Sequence, residues 1–353
     1  MSQIAATGEP GNLAALIEDN ARESVPAEKK WAVLLVAVLV LLSLALAACG
    51  PGPTASGGAP STVVIAYQPG IGYANLIVMK EQGTLKKQFP KTHLEWKVLA
   101  SGSAIRDGMV SKQIQVGAGG VGPFLIGWDK GVGWKLLASL NEMDLWLVTM
   151  KPHIQRLSDI KPGMKIGMPA PDSIQAIVLR KGAQQQLSNA HALDNTIVAI
   201  EHPLGVQALE HGQLAAHLSS PPFEFEEVAA GGHIILKSYD LFGPSTFNSV
   251  FMTQSFYNQY RDFATSFYQD LVSATRLVNS HTAQAAQLLS QDQHGKVTAS
   301  QFQDWMTHQG ITYDTTPHGF MKYAQFMHAI GLLSKMPGSM QDIELPTRNG
   351  AGS

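Results

Sequence analysis

The stretch TVVIAYQPGIGYANLIVMKEQG, residues 62–83, decides the fold class. Its opening residues are mostly β-branched or aromatic and predict a strand, Thr62–Tyr67, that stops at Gln68-Pro69-Gly70. Apolar residues then recur at helical spacing from Tyr73 to Gly83. A strand followed at once by a helix predicts the first half of a βαβ unit.

The same alternation of strands and helices recurs along the chain. Further strands are predicted at Leu94–Leu99, Ile114–Gly117, Trp134–Leu140, Lys165–Met168, Thr196–Ile200, Leu214–Leu218 and His233–Lys237. Helices are predicted between them at Ala104–Lys112, Pro123–Lys130, Asp172–Leu187 and Pro203–Glu210. Beyond Ser255 amphipathic helices dominate, at Phe256–Asn279, Thr282–Gln291, Ser300–His308 and Phe320–Ile330. We therefore expect an α/β protein of two lobes, with a helical C-terminal region packed on one of them.

The N-terminal region has the order of a secretory signal. Lys29 and Lys30 precede an uncharged apolar run of 18 residues, 31–48, which ends in Leu-Ala-Ala before Cys49, the only cysteine. The pattern resembles the lipobox of bacterial lipoproteins. It predicts a signal-peptide leader over 1–48, lipidation of Cys49, a flexible tether over 49–61 and a position on the extracytoplasmic face of the membrane. An uncleaved single-pass anchor is the alternative, because the run approaches the ~20 residues that span a bilayer.

Charge and cysteine content exclude several classes of protein. Removing residues 1–48 takes away three basic and five acidic residues and leaves 22 of each, a formal net charge of zero. A nucleic-acid partner is not expected, because binding one requires a clustered basic face. No cysteine remains to form a disulfide, so apolar burial must hold the fold.

The segments that follow the predicted strands are the candidate ligand site. In open α/β sheets, ligands bind beyond the carboxyl ends of the strands. These segments are rich in Gly, Ser and Pro and nearly free of charge. Backbone and hydroxyl groups are expected to contact the ligand at Gln68, Ser101, Ser103, Gly122, Ser173 and Ser219. Aromatic walls are expected at Tyr73, Phe124 and Phe223.

The motifs that could indicate catalysis, a cofactor or a metal are better explained by ordinary packing and solvation. Gly117–Gly122 matches G-x-G-x-x-G, but it follows the third predicted strand rather than the first, so close backbone packing is preferred over dinucleotide binding. The 12 histidines include no H-E-x-x-H, which predicts solvated or core-edge imidazoles and no metal site. Arg106 lies a full turn into its predicted helix and is expected to be solvated rather than a ligand clamp. We expect neither an enzyme nor a bound cofactor.

Several segments carry a resemblance to a known family. They are Tyr67-Gln68-Pro69, Ser101-Gly102-Ser103, Gly122-Pro123-Phe124-Leu125, residues 157–167 (LSDIKPGMKIG) and residues 208–213 (ALEHGQ), which lead into Ser219-Ser220-Pro221-Pro222-Phe223. In these segments, and from Val63 to Leu345 as a whole, the chain resembles the solute-binding proteins of ABC importers, in the branch that binds nitrate, sulfonates, taurine and thiamine precursors.

The resemblance implies a two-lobe periplasmic-binding-protein fold of type II, joined by two crossovers. Lobe one would be 60–148 plus 248–353, and lobe two 149–247. The implied function is the capture of a small anion (a sulfonate, taurine, nitrate or similar) between the lobes by a monomer, and its delivery to an ABC permease and its ATPase. Two alternatives stay open. They are a pyrimidine or thiamine-precursor binder or synthase-like enzyme of the same fold, and a sensor lipoprotein that transports nothing.

Overall fold

The computed structural model describes residues 58–346 of the chain. The predicted leader 1–48, the predicted lipidation site Cys49 and most of the predicted tether lie outside the described residues. None of the helices in 58–346 is long and apolar enough to cross a membrane.

Strands and helices alternate through the first two thirds of the described chain. The strands are β1 (Thr62–Tyr67), β2 (His93–Val98), β3 (Val116–Gly120), β4 (Trp134–Ser139), β5 (Glu142–Met143), β6 (Trp146–Thr149), β7 (Ile166–Met168), β8 (Ile197–Ala199), β9 (Ala216–Leu218), β10 (His233–Lys237), β11 (Asn248–Thr253) and β12 (Ile311–Thr312). The helices are α1 (Ala74–Gln82), α2 (Thr84–Gln88), α3 (Gly102–Val110), α4 (Val121–Asp129), α5 (Ile174–Leu187), α6 (His202–Glu210), α7 (Phe223–Ala229), α8 (Ser238–Phe242), α9 (Gln254–Gln259), α10 (Arg261–Ser280), α11 (Thr282–Asp292), α12 (Ala299–Met306) and α13 (Phe320–Ala329).

Two five-stranded sheets form the centres of two lobes. The sheet of lobe one has the order β2-β1-β3-β11-β4, with β1, β2 and β3 parallel and β11 antiparallel to its neighbours. The sheet of lobe two has the order β10-β6-β9-β7-β8, with β7, β8 and β9 parallel. The chain passes into the second sheet at β6 and returns to the first at β11, so two crossovers join the lobes. β6 starts ahead of the predicted beginning of lobe two at residue 149.

An aromatic cluster holds the core of lobe one. Phe124 on α4 is fully buried and stacks on Trp134 of β4, with ring centroids 5.7 Å apart. Phe251 and Phe320 complete the cluster. The helix can approach so closely because residue 127 is glycine: a Cβ there would lie 2.0 Å from the Trp134 ring.

The C-terminal helices pack on lobe one and also reach lobe two. Asn75 on α1 donates a hydrogen bond to Thr275 Oγ1 on α10 over 2.9 Å, and both side chains are buried. Beyond α12 the His308 ring stacks on Phe225 of lobe two at a centroid distance of 4.1 Å. The C-terminal region therefore contacts both lobes.

The structure differs from the sequence predictions in several elements. Strands β6 and β11, at which the chain enters and leaves the second lobe, were not predicted, and neither were the short elements β5, β12, α2 and α8. The third strand runs from Val116 to Gly120, later than the predicted Ile114–Gly117, so Gly119 and Gly120 lie in the strand and not after it. The predicted helix over 256–279 is two helices, α9 and α10, which meet at Tyr260.

Candidate ligand-binding cleft

A narrow cleft lies between the lobes at the carboxyl ends of their parallel strands. It is lined from lobe one by Gln68, Pro69, Tyr73, Ala100, Gly102, Gly120 and Pro123, and from lobe two by Pro169, Ser173, Ile174, Gln175, His202 and Ser220, with Phe247 on the returning crossover. No carboxylate is among these lining residues. We refer to this space as the central cleft.

Four helices begin at the central cleft, two from each lobe. They are α3, α4, α5 and α6, and each is at least nine residues long. None of the four has an acidic residue in its first turn. Since a helix N-terminus carries partial positive charge and unpaired N–H groups, this arrangement gives the cleft a positive potential without a formal cation in its lining.

On the side of lobe one, the cleft wall includes Tyr73, whose hydroxyl is held in place by hydrogen bonds. The Tyr73 hydroxyl accepts a hydrogen bond from Gln68 Nε2 and donates one to Asn248 Oδ1 over 3.1 Å. Tyr73 is 2 % exposed, and burial raises the pKa of its hydroxyl above the ordinary value. Among the described residues, Asn248 Nδ2 is buried and has no hydrogen-bond partner. Lobe one therefore presents neutral hydrogen-bonding groups that are held by one another.

The wall that lobe two contributes begins a buried chain of polar side chains, which we call the relay. Gln175 Nε2 lies 3.1 Å from His202 Nε2, and His202 Nδ1 lies 3.2 Å from His217 Nε2. His217 Nδ1 is in turn hydrogen-bonded to Glu227 Oε1. At the far end Ser219 Oγ donates to Glu227 Oε2 over 3.2 Å. The relay connects the cleft to the interior of lobe two.

The fold makes a tight slot for the central imidazole of the relay. His217 lies on β9 and is fully buried. A Cβ at Gly205 on α6 would lie 2.4 Å from His217 Nε2, and a Cβ at Gly167 on β7 would lie 3.2 Å from His217 Cδ2. Because neither residue carries a side chain, the helix and the strand can both close on the ring.

Burial favours the neutral forms of the relay residues. It lowers the pKa of His217 to about 3 and holds that of His202 well below its ordinary value, to which neighbouring His217 adds. Burial likewise raises the pKa of Glu227 to about 9, although the hydrogen bond from Ser219 opposes the shift. Burial therefore opposes a charge on either imidazole and on the acid at the inner end of the relay.

Contacts between the lobes surround the central cleft. Arg106 Nη1 on α3 pairs with Asp172 Oδ2 of lobe two at 2.5 Å, and Ser103 Oγ donates to the other oxygen of the same carboxylate. The prediction that Arg106 is solvated is therefore wrong, because only 17 % of its side chain is exposed and its charge is paired across the cleft. At Gly122 a Cβ would lie 3.0 Å from the Asp172 carbonyl oxygen, so the backbones of the two lobes nearly touch there.

The structure brings three of the nine predicted ligand contacts into the central cleft: Gln68, Tyr73 and Ser173. Ser101 caps α3 by accepting from Ala104 N, and Ser103 bonds to Asp172.

The remaining predicted contacts have other surroundings. Gly122 faces lobe two, Ser219 is buried against Glu227, and Phe223 packs on the His202 ring at a centroid distance of 5.4 Å. Phe124 belongs to the core cluster and does not line the cleft, so we leave it out of the proposed ligand site.

Sequence reasoning missed Gln175, His202 and Ser220 as cleft residues. Imidazoles were predicted to be solvated or at the edge of the core, and for His202 and His217 this is wrong, since they are 7 % and 0 % exposed. His202 directly follows a predicted strand, so the rule that selected Gln68 and Ser173 would also have selected it. The contact between His202 and His217 had no sequence signal, because β9 and the start of α6 meet only in the folded sheet.

The free volume is small in the cleft and larger beside it. The central cleft has about 20 Å³ free, room for about one water molecule. A second cavity of about 390 Å³ adjoins it across Gln68 and Pro69 and is lined mainly by apolar residues, among them Val98, Phe223 and Trp305. We take the central cleft as the ligand site, because the carboxyl ends of the parallel strands and the N-termini of four helices meet there. Within residues 58–346, no group of three or more His, Cys, Asp or Glu side chains is placed to hold a metal ion.

Comparison with known proteins gives the family. The model of the NMT1-like family matches residues 56–290, two thirds of the chain, so the chain belongs to the NMT1-like family. No match was found among curated proteins.

Solved structures confirm the predicted fold. The alkanesulfonate-binding protein SsuA from Xanthomonas axonopodis pv. citri, bound to MOPS, has a TM-score of 0.64 at 18 % identity, covering 79 % of this chain and 96 % of its own. The periplasmic nitrate-binding protein NrtA from Synechocystis PCC 6803 has a TM-score of 0.60 at 15 % identity, covering 80 % and 85 %. The ligand-binding component of an ABC-type import system from Staphylococcus aureus, with zinc bound, has a TM-score of 0.66 at 18 % identity, covering 83 % and 99 %. The type II periplasmic-binding-protein fold predicted from sequence is thus shared with these proteins.

Proposed function

We propose that this protein is the solute-binding component of an ABC importer and captures a small anion in the central cleft. The observation that carries the proposal is the meeting of four helix N-termini, none with an acidic residue in its first turn, at a cleft lined by neutral polar groups. Such a site can balance one negative charge with backbone dipoles and hydrogen-bond donors. Within the described chain, no serine hydroxyl that lines it is hydrogen-bonded to a basic group, which nucleophilic catalysis would require.

The fold supports capture by opening and closing of the lobes. The central cleft has room for about one water molecule, less than a nitrate or sulfonate group occupies, so the lobes must separate to admit it. The two crossovers are the natural hinge, and the Arg106–Asp172 pair is a contact that separation must break. Affinity then depends on how strongly the ligand favours the closed arrangement.

The structural neighbours supply the chemical classes to be tested. Two of them are described as binding an alkanesulfonate and nitrate, and one holds MOPS, itself a sulfonate. Since their sequence identity to this chain is below 20 %, they suggest a panel of probes and do not select one. We propose a monoanionic oxyanion, with a sulfonate first among the candidates.

Calorimetric titration tests the proposed function. The purified domain, residues 50–353, is titrated with methanesulfonate, taurine, nitrate and a neutral aminopyrimidine. We expect at least one anion to bind, and Ser220→Ala to weaken that binding about fivefold by removing a cleft hydroxyl. Ser111→Ala, on the exposed end of α3, is the matched control and should leave affinity unchanged. Heat from the pyrimidine alone would favour the thiamine-precursor alternative, and no binding of any probe would contradict the proposal.

The proposed function also includes a lipid anchor and two transport partners. We propose that Cys49 is lipidated and holds a monomeric binding protein at the extracytoplasmic face, where it would deliver its solute to a permease and its ATPase. In cells fed a palmitate analogue, the wild type should incorporate label and Cys49→Ala should not. Label in the alanine variant would remove the lipobox interpretation. Solute binding by a chain that has no cognate permease would favour the sensor alternative.

A further inference from the structure

The relay leads from the ligand cleft to a buried acid that the proposed function does not use. Its members are Gln175, His202, His217 and Glu227, whose exposed fractions range from 0 % to 7 %. Each neighbour in the series lies within hydrogen-bond distance of the next. At the cleft end, the His202 bond is the only hydrogen bond of the Gln175 side chain within the described residues. The relay is therefore a continuous chain of hydrogen bonds from the cleft to a buried carboxyl group.

The direction of every hydrogen bond in the relay follows from a single proton. A neutral imidazole has one N–H and one bare nitrogen, so a ring that accepts on one side must donate on the other. If Glu227 is protonated, it donates to His217 Nδ1, His217 Nε2–H donates to His202 Nδ1, and His202 presents Nε2–H to Gln175. If the acid is ionised, every bond reverses, and His202 Nε2 becomes an acceptor.

The Gln175 amide must follow that direction. Facing His202 Nε2–H, the amide has to turn its oxygen to the ring, which directs the NH₂ group away from it and toward the cleft. Facing a bare Nε2, the amide turns its nitrogen to the ring and leaves the oxygen for the cleft. The two orientations differ by a half turn about the last side-chain torsion. The structure records the second orientation, with Nε2 beside the ring, which is the arrangement expected of the relay without the proton.

We propose that one proton in the relay determines whether Gln175 offers the cleft an N–H donor or a carbonyl acceptor, so that an oxyanion is bound only when the relay holds that proton. The proposal rests on the proposed function and deepens it, since it names Gln175 as a specificity-determining contact and His217 and Glu227 as positioning residues.

The proton balance of the change is simple. On deprotonation the proton on His202 Nε2 leaves toward the cleft, the proton on His217 Nε2 moves to His202 Nδ1, and the Glu227 proton moves to His217 Nδ1. Three protons become two, and no covalent bond between heavy atoms changes. The proton therefore enters and leaves at the ligand end of the relay, where an incoming anion favours it.

Burial raises the pKa of Glu227, and the acidic side chains around the relay act in the same direction. Glu224 and Glu226 share α7 with Glu227, and Glu210 faces it from α6; Glu210 raises the pKa of Glu227, after burial itself. Glu224 is also fully buried, accepts a hydrogen bond from Trp146 N over 2.9 Å, and has Asp144 and Lys237 as charged neighbours. No basic side chain contacts Glu227 in the described part of the chain apart from His217.

The first test needs no ligand. Nitrogen NMR of the ¹⁵N-histidine-labelled wild-type domain distinguishes the Nδ1–H and Nε2–H tautomers of each neutral ring. We expect His202 and His217 to carry Nε2–H at pH 7 and to change together to Nδ1–H as the pH rises through about 9, the pKa of Glu227. Circular dichroism over the same range verifies that the fold is intact. Tautomers that stay fixed from pH 6 to pH 10.5, or that change separately, would overturn the proposal.

The second test links the relay to anion binding. Methanesulfonate affinity of the wild type should fall about tenfold for each pH unit above the pKa of the relay, because binding then requires the uptake of one proton. In Glu227→Gln the amide can donate to His217 and accept from Ser219, as the protonated acid does, so affinity should no longer follow that slope.

A control variant and the tautomer measurement distinguish failure of the relay proposal from failure of the proposed ligand class. Glu226→Gln makes the same change one residue away and outside the relay, and should keep the wild-type slope. A slope that persists in Glu227→Gln, or that is missing from the wild type, would overturn the proposal. If methanesulfonate does not bind at any pH, the proposed ligand class fails, and the tautomer measurement still decides the relay on the wild-type protein alone.

Discussion

Lobe one faces the central cleft with glycines and a phenol held by two amides, whereas lobe two faces it with an amide backed by two imidazoles and an acid. The described part of the first wall has no imidazole or carboxyl group, and the second leads to two imidazoles and a carboxyl group whose neutral forms are favoured by burial. The comparison suggests a division of labour within one site. Lobe one provides close backbone approach, and lobe two decides which hydrogen-bonding partner the ligand meets. Four substitutions separate these roles, from the largest expected effect to the smallest.

Truncation of Phe124 tests whether lobe one has an aromatic core rather than an aromatic ligand wall. Phe124→Ala removes a fully buried ring that packs on Trp134 and Phe251. We expect the free energy of unfolding in urea to fall by about 3–5 kcal/mol. Val110→Ala, where the side chain is 60 % exposed, should change it by less than about 0.5 kcal/mol. A loss of ligand affinity in Phe124→Ala without loss of stability would return this residue to the cleft wall.

A bulky side chain at Gly122 tests whether the two lobes must come into close backbone contact there. Gly122→Leu places a side chain where Ile177 and the Asp172 carbonyl of lobe two already lie. The lobes should then fail to close, which lowers ligand affinity about 100-fold, equal to about 2.7 kcal/mol, with little change in unfolding. X-ray scattering should report a larger radius of gyration. Gly58→Leu, which has no neighbour within 4 Å, is the control, and equal affinities in the two variants would contradict the model.

Removal of the charge on Asp172 tests the ion pair that joins the walls. Asp172→Asn takes the partner from Arg106, whose side chain is only 17 % exposed. We expect the closed arrangement to lose about 1 kcal/mol and affinity to fall about fivefold. Asp107→Asn removes a carboxylate 3.4 Å from the same guanidinium, but this aspartate is 72 % exposed and should have little effect. Equal effects of both variants would mean that Arg106 responds to net charge and not to the contact across the cleft.

A histidine outside the cleft tests the smaller contact between lobe two and the C-terminal helices. The hydrogen bond to Asp194, with a further bond to the Ile330 carbonyl, raises the pKa of His191. Because the folded-state pKa is the higher one, the stabilisation is complete below the unfolded value of about 6.5 and is lost as the pH rises through the folded value. His191→Gln should remove this part of the difference in Tm between pH 5.5 and pH 8. The ring is half exposed, so the effect should stay below about 1 kcal/mol.

Much of the fold could be predicted from local pattern, but the crossovers could not. Thr62–Tyr67 and His233–Lys237 were predicted with the bounds that the structure has, because β-branched runs stop at clear turn signals. β11 was missed because its hydrogen bonds come from β3 and β4, more than 100 residues earlier in the chain. Gly119 and Gly120 of β3 were placed in the segment after the predicted strand, since glycine has no side chain whose alternation could extend the pattern.

The sequence indicated part of the cleft lining through the segments that follow the strands. Of the residues selected in those segments, Gln68, Tyr73 and Ser173 line the cleft, whereas Ser219 was selected and its neighbour Ser220 lines the space. It could not recognise the ion pair of Arg106 or the meeting of His202 with His217. Both depend on how separate elements pack, which spacing along the chain does not encode.

Because glycines at 205 and 167 make the space for the His217 ring, a small side chain there would disrupt the relay. A methyl group at residue 205 would displace the ring from its partners while every ionisable group stays in the molecule. Proton transfer along the relay thus depends on the space around the His217 ring as well as on the pKa values of the relay residues. Related sequences that carry alanine at this position should have receptors whose ligand preference no longer responds to the acidity of their surroundings.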